Sequence, residues 1–344
     1  MTTNEARVRV DYEYGRLREV IVGGAYGLYP DVAKAVWIEE CQKILPKAEV
    51  KKALARSGKD FKEVGKYDRL ECENRELIKI LEANNVKVWR PTELSVEQVA
   101  VNFGADYVRT NGFQFVYARD PIAVIGEQVI ELSMGSAMRR ADILAYRTLL
   151  MTRVKNSNAR WFAMPGIDYC GAFAGSYDKT RFPALEGGDI LLLGQKILVG
   201  TSKNPMVGSS PLGVAWLQSI LGPLGYDVEA VPLQDQFLHL DVALSIPRPG
   251  LIIACPAAFC NGVPAYFKGW KVIEVSLEDA QRLAVNGLPI DENHYILGAN
   301  GSEKWERIAE ALSAAGIEVY FVPFENHNED GGSIRCATHP LLRD

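Results

Sequence analysis

One cysteine, one histidine and three carboxylates stand out in this chain because each lies beside a turn or at the end of an apolar run. Cys336 follows the acidic, glycine-rich stretch Asn328-Glu329-Asp330-Gly331-Gly332-Ser333-Ile334-Arg335. Paired glycines lack Cβ and let backbone approach a ligand closely, so a sulfur placed just after them can face a pocket and act as a nucleophile. Phe115-Val116-Tyr117-Ala118-Arg119-Asp120-Pro121 sets Asp120 at the predicted end of a strand, where the proline biases it to extended backbone. Glu186-Gly187-Gly188-Asp189 precedes an apolar run, Ile190 to Leu193. Phe237-Leu238-His239-Leu240-Asp241 alternates in period two, which as a strand would put His239 and Asp241 on one side.

Each stretch alone has an ordinary structural explanation: a turn aspartate, a bend, an edge strand, a packed thiol. Together they fit one chemistry. Carboxylates match the fork of N–H donors on a guanidinium. Two of them can clamp that planar cation with its central carbon turned to a thiolate. Attack there forms a tetrahedral adduct, and a histidine can protonate the departing amine and then activate the incoming nucleophile. The bound cation itself favours the thiolate. A cysteine protease would not need so many carboxylates, and a glycosidase would not need the thiol.

The rest of the composition narrows the field. The 344 residues are 48% hydrophobic and 24% charged, with 38 basic and 43 acidic side chains for a net charge of −5. That is ample material for a core and no basic footprint for nucleic acid. No apolar run reaches the roughly 18 residues of a membrane span, and Met1 to Arg7 lacks the apolar core of a secretory signal. The six cysteines, Cys41, Cys72, Cys170, Cys255, Cys260 and Cys336, form no CxxC pair. They read as reduced thiols of a cytoplasmic protein. His239, His294, His327 and His339 show no zinc spacing, so neither metal nor cofactor is expected.

The elements that must position these residues read as an α/β repeat architecture. Strands are predicted over Leu17 to Val22, Val86 to Trp89, Phe113 to Tyr117, Ile122 to Ile125, Gln128 to Leu132 and Ile190 to Leu193. Others follow over Lys196 to Val199, Leu251 to Ala254, Trp270 to Val275, Tyr295 to Leu297 and Glu318 to Val322. Helices are predicted over Lys66 to Asn84, Asp142 to Val154, Pro211 to Leu221 and Ser302 to Ala315, the last capped by Ser302 and stopped at Gly316. No low-complexity linker interrupts the chain, which favours a single domain over 1–344. The charged segment 30–65 reads as a solvated excursion, or as a lid or an oligomer contact.

At these residues the chain resembles the guanidino-group-modifying superfamily, which includes arginine deiminases, dimethylarginine hydrolases and, with the greatest likeness, glycine-type amidinotransferases. Ala118-Arg119-Asp120-Pro121-Ile122 with Val129-Ile130-Glu131, Met138-Arg139-Arg140 and Tyr146-Arg147 resemble the first motif. Glu186-Gly187-Gly188-Asp189 is similar to the acidic motif, His239-Leu240-Asp241 to the histidine motif, and Gly331-Gly332 through Cys336 to the cysteine motif.

The resemblance implies a five-bladed α/β propeller of pseudo-fivefold ββαβ units around a substrate channel. It also implies a ping-pong reaction through an amidino-cysteine. Cys336 would be the nucleophile, His239 the acid and base, and Glu186 the group that fixes proton transfer. Asp120 and Asp241 would bind the guanidinium, and Arg139 would meet a substrate carboxylate. The partners implied are a guanidine donor such as arginine and an amine acceptor, and the superfamily is compatible with a homodimer. The alternative is a guanidine hydrolase with the same residues and water as acceptor; a non-catalytic binding protein is disfavoured because all five polar residues are present. The carboxylate-gripping arginine of glycine amidinotransferases is replaced here by Cys255-Pro256-Ala257-Ala258, and a serine pair near Asp279-Ala280 is also replaced. Arginine-plus-glycine specificity therefore does not carry over with the motifs.

Overall fold

The computed structural model describes residues 7–31, 47–166, 182–202, 208–301 and 305–344. Its α/β architecture repeats one topology five times. In each of four three-stranded sheets an antiparallel hairpin is followed by a third strand parallel to the hairpin's second. These are Ile122–Ile125, Gln128–Glu131 and Arg160–Ala163; Ile190–Leu193, Lys196–Thr201 and Asp227–Pro232; Leu244–Arg248, Leu251–Ala254 and Lys271–Glu274; and Leu288–Asp291, His294–Ala299 and Glu318–Pro323. The fifth sheet joins the chain's two ends: Thr338–Arg343 pairs antiparallel with Leu17–Val22, which pairs parallel with Lys87–Trp89.

Local chemistry explains the repeat. Two residues join the strands of each of the four continuous hairpins, and such tight loops need backbone that follows strand twist. Gly126 and Gly194 supply it with φ of +53° and +71°. A parallel third strand needs a crossover connection. Helices Leu144–Val154, Pro211–Leu221, Glu306–Ser313 and Lys66–Ala83 provide it in four units, and short 3₁₀ turns at Pro256–Ala258 and Ala265–Phe267 do so in the unit begun by Leu244. Ser210 accepts from Gly213 N and caps its helix, and Gly316 takes the left-handed conformation past Ser313. Ser302 lies outside the described residues, as do Cys41 and Cys170. Cys72, Cys255, Cys260 and Cys336 are free thiols. Ile122–Ile125, Ile190–Leu193 and Leu251–Ala254 are buried along their whole length, the signature of strands covered on both faces.

Two predicted strands are corrected. Only Phe113–Gln114 of the run to Tyr117 is a strand. Phe115 O accepts from Gly24 N and from the Tyr146 hydroxyl, and Arg119 N donates to Cys336 O. These bonds leave no ladder, so Asp120 closes a turn and precedes a strand instead of ending one. His239 and Asp241 are not on a strand either. His239 is extended, but Leu240–Ala243 is a short helix that it precedes. Leu240 N donates to Asp189 Oδ1 at 3.0 Å, which anchors that helical turn.

Of the charged 30–65 segment, residues 32–46 lie outside the described residues. The helix Lys47–Arg56 ends at an Arg56 guanidinium that is ion-paired with Glu329 at 3.2 Å and Asp330 at 3.5 Å. This part of the segment docks on the turn that leads to Cys336.

Candidate active site

Each of the five three-stranded sheets sends one polar residue to the same place, from the segment just before its hairpin. Asp120 precedes Ile122, Glu186 precedes Ile190, Asp241 precedes Leu244, Asn286 precedes Leu288 and Cys336 precedes Thr338. Hydrogen bonds join these entry segments in a closed circuit. Gly187 N donates to Asp120 O and Leu240 N to Asp189. Asn286 Nδ2 donates to Asp241 O and Cys336 N to Asn286 Oδ1, while Arg119 N donates to Cys336 O. His239 enters beside Asp241. Asp120, Glu186, His239, Asp241 and Cys336 are each at most 3% exposed, so charge on them is felt without screening by water.

On one side of the site, His239 Nε2 lies 2.5 Å from Glu186 Oε2. The other carboxylate oxygen, Oε1, accepts from Gly135 N at 2.8 Å. Burial would raise the Glu186 carboxyl, but the His239 bond and charge and Arg139 outweigh it and pull it down to about 2. Burial likewise opposes charge on His239. Asp120, the Glu186 bond and Asp189 overcome it and lift the imidazole to about 10. The pair is therefore imidazolium and carboxylate near neutrality. His239 Nδ1 stands 3.8 Å from Asp120 Oδ1.

On the other side, Cys336 Sγ lies 3.6 Å from Asp241 Oδ2. That oxygen also accepts from Arg335 Nη1 at 2.9 Å, and Arg335 holds both Glu13 oxygens at 3.1 Å. The remaining oxygen, Asp241 Oδ1, is buried without a hydrogen-bond partner among the described residues. A buried acceptor left unpaired is costly, and here it adjoins a thiol. Burial, Asp241 and Asp120 all push the Cys336 thiol well up. The sulfur is thus protonated until a cation neutralises the carboxylates beside it.

Arg139, expected to meet a substrate carboxylate, is buried against Asp120. Its Nη1 donates to Asp120 Oδ2 at 3.1 Å, Nε to Asp142 and Nη2 to Tyr117 O, and its guanidinium lies over the Tyr117 ring. Three of its five N–H groups are engaged in this way, and one of them orients Asp120.

The glycine of the acidic motif is sterically required. A Cβ on Gly188 would stand 2.6 Å from His239 Nδ1 and 2.9 Å from Asp120 Oδ1. Gly188→Ala is expected to lower kcat about 10²-fold by displacing those groups, with thermal unfolding within a few degrees of wild type.

Sequence reasoning missed Asn286, Arg335 and Glu13. Asn286 accepts from Cys336 N at 3.2 Å, donates to Asp241 O at 3.3 Å and accepts from Arg335 N on its own carbonyl. Its signal was positional: it stands where the other four sheets carry a site residue. Asn286→Ala leaves two buried groups unpaired, at about 1–3 kcal/mol each. Urea unfolding should show that loss, together with slower modification of Cys336.

No family model matches the chain. An L-arginine:L-lysine amidinotransferase of Pseudomonas savastanoi pv. phaseolicola is 26% identical over 355 residues, covering 96% of this chain and 93% of that protein. The solved structure of SxtG, an amidinotransferase from Microseira wollei in the saxitoxin biosynthetic pathway, superposes with a TM-score of 0.71 at 23% identity, covering 98% of this chain and 97% of its own. The N-terminal domain of ArgZ, a cyanobacterial arginine dihydrolase, superposes at 0.64 with 15% identity, over 94% and 97%. Over nearly its whole length the chain is thus similar to amidinotransferases, and it shares its fold with these and with other guanidine-modifying enzymes.

Proposed function

We propose that the protein moves an amidino group from arginine or a related guanidine to an amine, through a covalent intermediate on Cys336. The observation that carries this is Asp241: one oxygen touches the Cys336 sulfur and the other is a buried acceptor with no donor among the described residues. A guanidinium N–H supplies that donor and brings its central carbon to the thiol. Its positive charge between Asp241 and Asp120 offsets the two carboxylates that hold the thiol protonated, and the sulfur loses its proton to solvent.

The thiolate forms a C–S bond to the guanidine carbon. The C–N bond to the departing amine breaks as the imidazolium of His239 delivers its proton to that nitrogen. An S-amidino-cysteine and a neutral imidazole remain. The acceptor amine attacks the same carbon, His239 takes its proton, and the C–S bond breaks to return the thiolate. Glu186 holds His239 throughout. We read the five sheets, with the hydrogen-bond circuit at their entry segments, as the blades of one propeller domain over 1–344, in a cytoplasmic enzyme.

Mass spectrometry after arginine addition should find one amidino group on Cys336. A chase with amines should then regenerate free enzyme and yield amidinated amine. If the chase gives the same rate with water alone, the enzyme is a hydrolase. If no guanidine modifies Cys336, the covalent reading fails.

A further inference from the structure

A narrow cavity of about 20 Å³ lies on the far side of Arg335 from the reacting sulfur. Arg335 marks the boundary. Its Nη1 donates to Asp241 Oδ2, the oxygen beside Cys336 Sγ, while its Nε and Nη2 donate to Glu13. Glu13 lines the cavity together with Arg119, His339 and Arg343. The segment from Val10 to Glu13 runs along its rim, held by Val10 N on Gly126 O and Glu13 N on Leu192 O. The space admits one water-sized body.

The positive charge here exceeds its partners. Arg119, Arg335 and Arg343 are 6%, 1% and 4% exposed. Two buried carboxylates, Glu13 and Asp241, stand against them, and Arg335 donates to both. Asp291, the next carboxylate toward Arg343, is already held by Arg16 at 2.6 Å and His294 at 2.7 Å. One guanidinium charge is left without a counter-charge. The donors agree with the charges. Arg119 Nε donates only to a neutral carbonyl, Arg335 O, and its Nη2 is buried with no acceptor among the described residues. Arg343 gives Nη1 and Nη2 to the carbonyls of Gly15 and Pro289, and its Nε has no acceptor among those residues. Neither nitrogen of His339 has a partner among them either. Burial pulls Arg119 down to about 9 and Arg343 to about 10, and Arg335 adds to both shifts. Both oxygens of Glu13 are taken, by Arg335 and by Leu192 N, so its charge is spent on Arg335. A water molecule could accept from these donors but would leave the buried charge uncompensated, which is costly. An anion answers both needs.

We infer that this cavity is a halide site that takes one chloride ion between Arg119, Arg343 and His339. The site is independent of the amidino-transfer reading, and no bond is made or broken in it. Its effect is on the frame of the active centre. Arg119 N also donates to Cys336 O, so an anion that settles the Arg119 guanidinium steadies the segment that presents the sulfur.

The test exchanges gluconate stepwise for chloride at one ionic strength and follows thermal unfolding of the whole protein. Gluconate is too bulky for the cavity. A bound ion gives a rise that saturates, about 4 °C when chloride is about 100 times its dissociation constant. In Arg119→Met that increment should vanish. Wild-type crystals soaked in bromide supply a readout that does not depend on the variant folding: an anomalous peak within about 3.5 Å of the Arg119 guanidinium. A midpoint that does not saturate with chloride overturns the site. So does an equal increment in Arg119→Met, or bromide found only on the protein surface.

Discussion

Cys336→Ala is expected to lower turnover by roughly 10⁶-fold, the scale seen when a covalent nucleophile is removed. The variant should still fold and bind guanidine. The bonds that fix this position are made by backbone: Cys336 N donates to Asn286 Oδ1, and Cys336 O accepts from Arg119 N. Alanine keeps both. The two carboxylates that would hold the cation, Asp120 and Asp241, are fixed by other residues, Arg139 and Gly188 for the first and Arg335 for the second. Removing the sulfur also removes the contact at Asp241 Oδ2, so guanidine binding measured by calorimetry should be unchanged or tighter. Product assay and intact mass together decide the case. Residual turnover near wild type would place the chemistry at another group, and loss of binding along with turnover would show that the thiol is part of the binding surface instead of the nucleophile.

Much of this site was legible because its chemistry sits at turns. Cys336 behind paired glycines and Glu186 ahead of them are unusual placements for a thiol and an acid, and residue type alone pointed to a planar cation. The local backbone was less legible. The apolar run to Tyr117 looks like a strand, yet its hydrogen bonds go to Gly24, Tyr146 and the Cys336 segment. His239-Leu240-Asp241 looks like period two, yet a single side chain, Asp189, pins Leu240 into a helical turn. No periodicity in three residues can report a partner fifty residues away. Arg139 was expected to meet a substrate carboxylate, and only the fold reveals Asp120 and Asp142 against it.

Asn286 was hidden for a different reason. A neutral amide before a glycine is an ordinary turn. It becomes conspicuous only when five sheets are superposed in the mind and each is seen to contribute from the same entry segment. The repeat is therefore the organising fact: one entry segment before the hairpin, reused five times with different side chains, brings together a thiol, an amide and three carboxylates, with the histidine beside one of them. The circuit of hydrogen bonds among these segments explains how groups from five separate sheets are held to the tolerance that covalent chemistry needs.

The second large effect belongs to His239. His239→Ala is expected to slow both half-reactions by about 10²–10⁴-fold, the range for loss of a positioned acid and base, while guanidine affinity stays near wild type because Asp120 and Asp241 remain. The pH dependence gives the sharper test. With its imidazole lifted to about 10 and Glu186 held at about 2, the resting pair carries its proton on His239 across the physiological range. Donor cleavage needs that proton, so the alkaline limb of kcat/KM for the donor should fall near pH 10 and vanish in His239→Ala. Stability follows the same ionisations. A histidine raised on folding contributes fully below its unfolded value of about 6.5 and loses that contribution as pH climbs through about 10. Glu186, depressed on folding, contributes above its unfolded value of about 4.3 and loses that contribution as pH falls toward 2. Thermal unfolding of the wild type should therefore weaken between pH 7 and 10, and the weakening should be smaller in His239→Ala. An alkaline limb that survives the substitution would assign the titrating acid to another residue and remove His239 from the proton-transfer step.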